Sequence, residues 1–364
     1  MTSPFAVPLS VGWHWPCARN SGRHNVAANH PTPTYPPHKI SVFRKVFLYL
    51  CMLTLFPPLE MLYFYFFFIY LFYIASPMYR VLLAIYWTNM FFEIDGFPSS
   101  SGWGGKWWPF RKFCRSLRCW HWIREYFDGE LVKTAELPGG KPYLMCYHPH
   151  GIISMGLQGS LALEACGFSE TFPGVDRSVA TLVASFKIPF FREWILMNGF
   201  IACGRKTLMY HLNRNKTVVL VPGGANEALH SHPGMFKLHL KNRKGFVRIA
   251  LLTGASLVPC LGMGENEMFH TLDNESDGFF PQMLYKVQVF LMKRFTFSFP
   301  LMSHILPFRE KVTCVVGAPL ACPKTEDPSQ EVIDKYHKLY VDSLTKLYEK
   351  HKDYYGKGIK LEIV

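Results

Sequence analysis

Tyr143-Leu144-Met145-Cys146-Tyr147-His148-Pro149-His150-Gly151 joins a short apolar run, Tyr143 to Cys146, to a turn, and an apolar, Gly-containing segment from Ile152 to Gly167 follows. The pattern is that of a strand, a tight corner and a helix start. Two imidazoles are thus held where backbone N–H groups point outward. Histidine ordinarily titrates near neutrality, so a His fixed at such a corner can take a proton from a hydroxyl at cellular pH. Two surface histidines in a Pro-containing loop are the plain alternative, and the rest of the chain decides between them.

A second corner has the same construction. The β-branched run Thr217 to Val221 enters Pro222-Gly223-Gly224-Ala225-Asn226-Glu227-Ala228-Leu229. In α/β proteins ligands bind beyond the carboxyl ends of the strands, so both corners are expected to face one pocket. Gly151, Gly223 and Gly224 let backbone approach a substrate closely, and N–H groups near Gly223 and Gly224 are candidates for holding an oxyanion. Glu227 is either the acid that orients an imidazole or a plain first-turn helix acid. From about Lys141 onward strand-like and helix-like runs alternate, as α/β proteins require. Ser178 to Val183 and Leu257 to Leu261 read as strands, and Phe246 to Leu252 as a helix stopped by Gly254. A last helix is predicted with Asp327 as cap, Pro328 in its first turn and Gln330 at capping-box spacing. Its stripe of Ile333, Tyr336, Tyr340, Leu344 and Leu347 reads as core packing.

Further blocks follow in order: Arg243-Lys244-Gly245-Phe246-Val247-Arg248, Gly254-Ala255-Ser256-Leu257-Val258-Pro259, Gly264-Glu265-Asn266-Glu267, and Val315-Val316-Gly317-Ala318-Pro319 ahead of Asp334-Lys335-Tyr336-His337. With the two corners, they make the chain resemble the type-2 diacylglycerol acyltransferase family, which includes monoacylglycerol and wax-alcohol acyltransferases, from roughly Val46 to the C-terminus. Met263 departs from the Phe usual in that family and is expected to alter packing rather than chemistry. The resemblance implies an α/β acyltransferase domain with an N-terminal membrane-embedded helical hairpin. It implies transfer of a fatty acyl group from acyl-CoA to the free hydroxyl of diacylglycerol, without an acyl-enzyme. His150 is the expected base, preferred to His148 because it adjoins Gly151; Glu227 is its orienting acid. Arg243, Lys244 and Arg248 are candidates for coenzyme A phosphates, with a solvated basic face as the alternative, and Glu265 is placed on the substrate side. No cofactor is expected, since acyl-CoA is itself a substrate. The expected location is the endoplasmic reticulum membrane with the catalytic domain on the cytosolic side, and secondly the lipid-droplet surface.

Composition points the same way. In 364 residues, 49% hydrophobic and 16% aromatic content is rich for a soluble chain, and the net charge of +13 asks for anionic partners. Zinc-finger spacing and RNA-binding signatures are missing, so lipid headgroups and coenzyme A fit better than nucleic acid. Between Lys45 and Arg80 only Glu60 is charged. The runs Val46 to Phe56 and Met61 to Ala75 are each shorter than the ~20 residues of a single span. They are therefore read as a hairpin tipped by Pro57-Pro58, with basic residues at both ends on the cytosolic side. A single span or a buried core helix is the alternative. Trp103, Trp107, Trp108, Trp120 and Trp122 interleave with Lys106, Arg111, Lys112, Arg115 and Arg118, the mixture of a segment lying on a membrane surface.

Residues 1–40, without Asp or Glu, are read as a disordered arm, 41–92 as the hairpin, 93–135 as the interfacial segment and 136–364 as the acyltransferase domain. Ten Cys without a Cys-x-x-Cys pair suggest free thiols, and neither His148/His150 nor His230/His232 has the further ligands of a metal site. Two other classes stay open: a lipid hydrolase, which needs an activated Ser or Cys near His150, and a non-catalytic lipid-droplet scaffold. The acceptor alcohol and the oligomeric state are not legible.

Overall fold

The computed structural model describes residues 41–53, 57–92, 108–272, 274, 276–295, 298, 300–304, 306–355 and 359–364. The arm 1–40 and the Trp-rich stretch 93–107 lie outside them. Seven strands form the main sheet: β1 (Glu130–Lys133), β2 (Tyr143–His148), β3 (Arg177–Thr181), β4 (Phe200–Ala202), β5 (Thr217–Leu220), β7 (Ser256–Met263) and β8 (Thr313–Val316). They are ordered β1-β8-β7-β2-β5-β3-β4, while β6 (Phe236–Leu238) and β9 (Leu361–Ile363) form a separate parallel pair. Pairing is parallel except between β7 and β8.

Every residue of β2 is buried. A central strand covered on both faces needs no polar side chain, which is why its sequence runs continuously apolar instead of alternating. Tyr143, Met145 and Tyr147 point into one core with Trp120, Leu157 and Phe186; Leu144 and Cys146 point into the other with Val247, Leu251 and Tyr340. The strand runs two residues beyond the expected Cys146 because Tyr147 and His148 still pair with Cys260 and Leu261 of β7.

Helices α1 (Val42–Leu53), α2 (Pro57–Ile74) and α3 (Pro77–Phe92) precede the sheet domain, followed by α4 (Trp108–Arg115), α5 (Trp120–Phe127), α6 (Phe191–Met197), α7 (Arg205–Leu212), α8 (Ala225–Leu229), α9 (Gly245–Thr253), α10 (Phe279–Phe295) and α11 (Gln330–Tyr355). Helix α9 ends at Gly254, with φ +70°, as expected. Helix α11 begins after Ser329, whose hydroxyl accepts from Val332 N at 3.4 Å. The expected cap Asp327 instead lies 3.6 Å from Arg248. Ile333, Tyr340, Leu344 and Leu347 of its stripe are buried.

The chain breaks again at Ala75–Ser76, so three helices stand where a two-limbed hairpin was expected. Among the described residues no helix is long and apolar enough to cross a membrane. All three dock on the sheet domain. Leu48 is buried, Phe47 lies edge-on to Trp122 at 5.0 Å, and Arg44 pairs with Glu125 at 2.7 Å. Tyr65 Oη donates to the Lys187 carbonyl, and Tyr86 Oη donates to Glu193 at 2.6 Å while accepting from Phe190 N. In the described part of 93–135, expected to lie on a membrane surface, Lys112, Phe113 and Arg118 are exposed. Arg111, Arg115 and Trp120 are buried, and Arg115 donates to the carbonyls of Asn198, Arg177 and Gly199. Backbone carbonyls left over at element ends satisfy this guanidinium, which explains a basic residue inside the domain.

Candidate functional site

The corner after β2 presents one histidine and withholds the other. His148, the last strand residue, is fully buried, and its Nε2 lies 2.9 Å from Tyr340 Oη of α11. Burial pushes its pKa down to about 3, so the ring is neutral throughout the physiological range. It therefore anchors the end of β2 to α11 rather than bonding within its own corner. His150 is half-buried. Its Nδ1 lies 3.0 Å from the Gly151 carbonyl oxygen, a contact that requires the proton on Nδ1 and leaves the lone pair on Nε2. Burial lowers its pKa, with the Gly151 contact opposing, which favours the neutral ring that can accept a proton.

Glu227 stands in the first turn of α8 and is almost completely buried. Its oxygens accept from two backbone N–H groups, His150 N at 2.9 Å and His239 N at 3.0 Å. The expected contact to an imidazole is replaced by a grip on the backbone beneath it, while the Gly151 carbonyl orients the ring. Burial raises the Glu227 pKa to about 7, opposed by the two N–H bonds and by the Arg243 charge. The two corners are thus brought together, as expected from β2 and β5 being neighbours.

Glu265, expected beside substrate, lies beneath the first corner instead. Its carboxyl accepts from Tyr147 Oη at 2.6 Å and from the N–H groups of Met155 and Gly156 at 2.8 Å each, and burial raises its pKa to about 7. The glycines are corrected in the same sense. A Cβ on Gly151 would stand 2.5 Å from Glu265 Cγ, and one on Gly223 would collide with the Glu227 carboxyl. Those two positions are bare to admit a buried acid rather than a substrate. Gly224 differs: its φ of +57° and ψ of −147° are available almost only to glycine, and a Cβ there would meet nothing within 4 Å.

Of the basic candidates, Lys244 pairs with Asp334 at 2.7 Å and Arg248 with Asp327, both at the surface, where such pairs exchange readily. Arg243 is exposed. Met263 is buried at the end of β7 opposite Thr313, a packing position. Three participants were not singled out for the site: His239, whose link to Glu227 runs through a backbone N–H that any residue could supply; Tyr340, legible as a hydroxyl in an apolar stripe; and Ser154, whose Oγ donates to the His150 carbonyl at 2.7 Å. Cys146 is fully buried, and burial pushes its thiol well up, so it offers no thiolate.

The family profile described as Diacylglycerol acyltransferase matches residues 70–364. Diacylglycerol O-acyltransferase 2 of Danio rerio is 36% identical over 294 residues, covering 78% of this chain and 78% of the relative. The human protein of the same name is 35% identical, covering 76% and 72%. Human acyl-CoA wax alcohol acyltransferase 1 is 37% identical, covering 79% of this chain and 90% of its own length. Among solved structures, the 1-acyl-sn-glycerophosphate acyltransferase PlsC of Thermotoga maritima aligns with a TM-score of 0.40 at 13% identity, over 84% of this chain and 97% of that one. With a profile match over most of its length and several relatives above a third identical, this chain belongs to the diacylglycerol acyltransferase family.

Proposed function

We propose that the protein transfers a fatty acyl group from acyl-CoA to the free hydroxyl of diacylglycerol, with His150 as general base. The observation that carries this reading is the Nδ1 contact to the Gly151 carbonyl, which leaves Nε2 as the basic nitrogen on a ring held neutral by its surroundings. The hydroxyl proton passes to Nε2 as the alcohol oxygen attacks the thioester carbonyl carbon. The tetrahedral oxyanion collapses, the C–S bond breaks, and the coenzyme A thiolate takes the proton back from the imidazolium. Atoms and charge balance without an acyl-enzyme. N–H groups of the Gly223-Gly224 corner are assigned to the oxyanion, and Arg243, with Lys244 and Arg248 after exchange of their surface partners, to the coenzyme A phosphates.

Against a hydrolase stand the buried Cys146 thiol and the commitment of the Ser154 hydroxyl to the His150 carbonyl. A long-chain alcohol is the second acceptor to consider, because the match to wax alcohol acyltransferase 1 covers 90% of that relative. We further propose that Val46 to Ala75 is embedded in the endoplasmic reticulum membrane, with the sheet domain on the cytosolic side; the exposed apolar side chains of α2, Phe66 and Tyr73 among them, support this. Incubating membranes that contain the protein with labelled acyl-CoA and, in turn, diacylglycerol, monoacylglycerol or a long-chain alcohol tests the reading. Ester that depends on both substrates, most of it from diacylglycerol, is expected. Release of free fatty acid alone would overturn it.

A further inference from the structure

Helix α10 carries a buried polar anchor among its inward apolar side chains and an apolar strip on its outer side. Its inward face carries Leu284 and the buried Gln288, whose Oε1 accepts from Asn274 Nδ2 at 2.8 Å; Asn274 also donates to the Leu229 carbonyl at 3.2 Å. Its outward face carries Phe279, Phe280, Met283, Val287 and Phe290, exposed by 84, 59, 45, 49 and 67%. Residues three and four apart share a helix face, so these side chains form one continuous apolar strip. The helix contains no acidic residue, and Lys286, Lys293 and Arg294 are exposed along it.

An aromatic strip of this kind is costly against water and marks a contact surface. The rim of cations chooses the occupant: apolar side chains for the acyl boundary with lysine and arginine at headgroup level are what a helix lying in a lipid surface presents. Described residues after α10 are apolar as well. Leu301 and Phe308 are exposed, while Met302 and Leu306 pack against the same core that receives Leu48 of α1 and Phe64 of α2. We infer that the outer face of α10 lies in the lipid surface, a second membrane contact separated in sequence from the N-terminal helices.

This contact also reaches the candidate site. Tyr285 of α10 lies 5.7 Å from the His230 ring, His230 stacks on His239 at 4.7 Å, and His239 N is bonded to Glu227. Seating α10 in lipid therefore sets the His150 corner beside the phase in which a diacylglycerol is dissolved. Only this last link rests on the proposed acyl transfer.

The test uses the full chain in vesicles of phosphatidylcholine and phosphatidylserine that carry a diazirine in the acyl chain, with labelled peptides mapped after photolysis. Label is expected on residues 279–290, and none on the exposed Leu339 side of α11. An unlabelled α10 beside labelled α1–α3, or cross-linking of α10 to a second copy or another protein, overturns the inference, whatever the enzymatic outcome. In the double variant Phe279→Ser with Phe290→Ser, KM for long-chain diacylglycerol in vesicles should rise several-fold, while turnover of a water-soluble short-chain acceptor stays at the wild-type level. Equal loss with both acceptors, or no change with either, overturns the link to substrate supply.

Discussion

Replacing Glu227 by Gln should separate activity from stability in opposite directions. The carboxyl is buried and titrates at about 7 instead of the ordinary 4.5. Between those two values the folded protein holds a proton that the unfolded chain releases, so stability falls as pH rises, the reverse of a salt-bridged acid. The difference corresponds to roughly 3 kcal/mol once pH is well above 7. Gln reproduces the neutral form. Like protonated Glu, it offers one good acceptor to the two N–H groups of His150 and His239, but it carries no charge to desolvate. The variant should match wild type in thermal unfolding near pH 5 and exceed it near pH 8, by up to roughly 3 kcal/mol. Activity should move the other way. Only the ionised carboxylate can hold both N–H groups and so fix the corner that carries His150, so turnover should drop about tenfold or more at pH 8. The wild-type fall in rate as pH drops through about 7 should be missing in the variant. Measuring unfolding midpoints and initial rates of the detergent-solubilised proteins at pH 5, 7 and 8 decides it. A variant that is less stable by the same amount at every pH refutes the reasoning, because the carboxylate would then be ionised throughout and stabilised by its two N–H bonds.

His150→Ala should abolish ester formation, a loss of about 10² to 10⁴ in rate, whereas His148→Gln and Tyr340→Phe should lower stability by about 1–3 kcal/mol and retain turnover per folded molecule. An active His150→Ala beside a dead His148→Gln reverses the assignment. Gly223→Ala should cost about 1–3 kcal/mol for each backbone N–H that Glu227 abandons, and should lose activity with it, while Gly224→Ala should cost about 1–3 kcal/mol through backbone strain alone; equal crystallographic positions for Glu227 in wild type and Gly223→Ala speak against the collision. The protein should stay with membranes through alkaline carbonate washing. Its appearance in the wash means that α1–α3 are held by the sheet domain and not by lipid.

The sheet was legible where burial on both faces makes a strand uniformly apolar, as in β2, β5 and β7, and helix α9 where Gly254 stops it. The two histidines of the first corner were legible as a short motif because a corner is local. What lies beneath the corner was not. Gly151 and Gly223 look like sites of close substrate approach, yet each makes room for a carboxylate, the distant Glu265 in one case and Glu227 of the same corner in the other. The role of His239 is carried by its main chain, which leaves no mark on residue type. Helix α10 is not legible as a surface contact because Lys286, Lys293 and Arg294 break its apolar run, and nothing in the sequence marks its apolar strip as facing outward.

The His148–Tyr340 contact spans 192 residues, and the Tyr147–Glu265 bond spans 118. A chain emerging from the ribosome therefore makes the His148–Gly151 corner long before it makes the parts that lock it. Until α11 has been synthesised and packed, the His148 ring sits in an incomplete core without its hydroxyl partner, and loop closure over such distances is slow. A protein cut short ahead of Tyr340 keeps both corners and lacks the hydroxyl against which His148 is held.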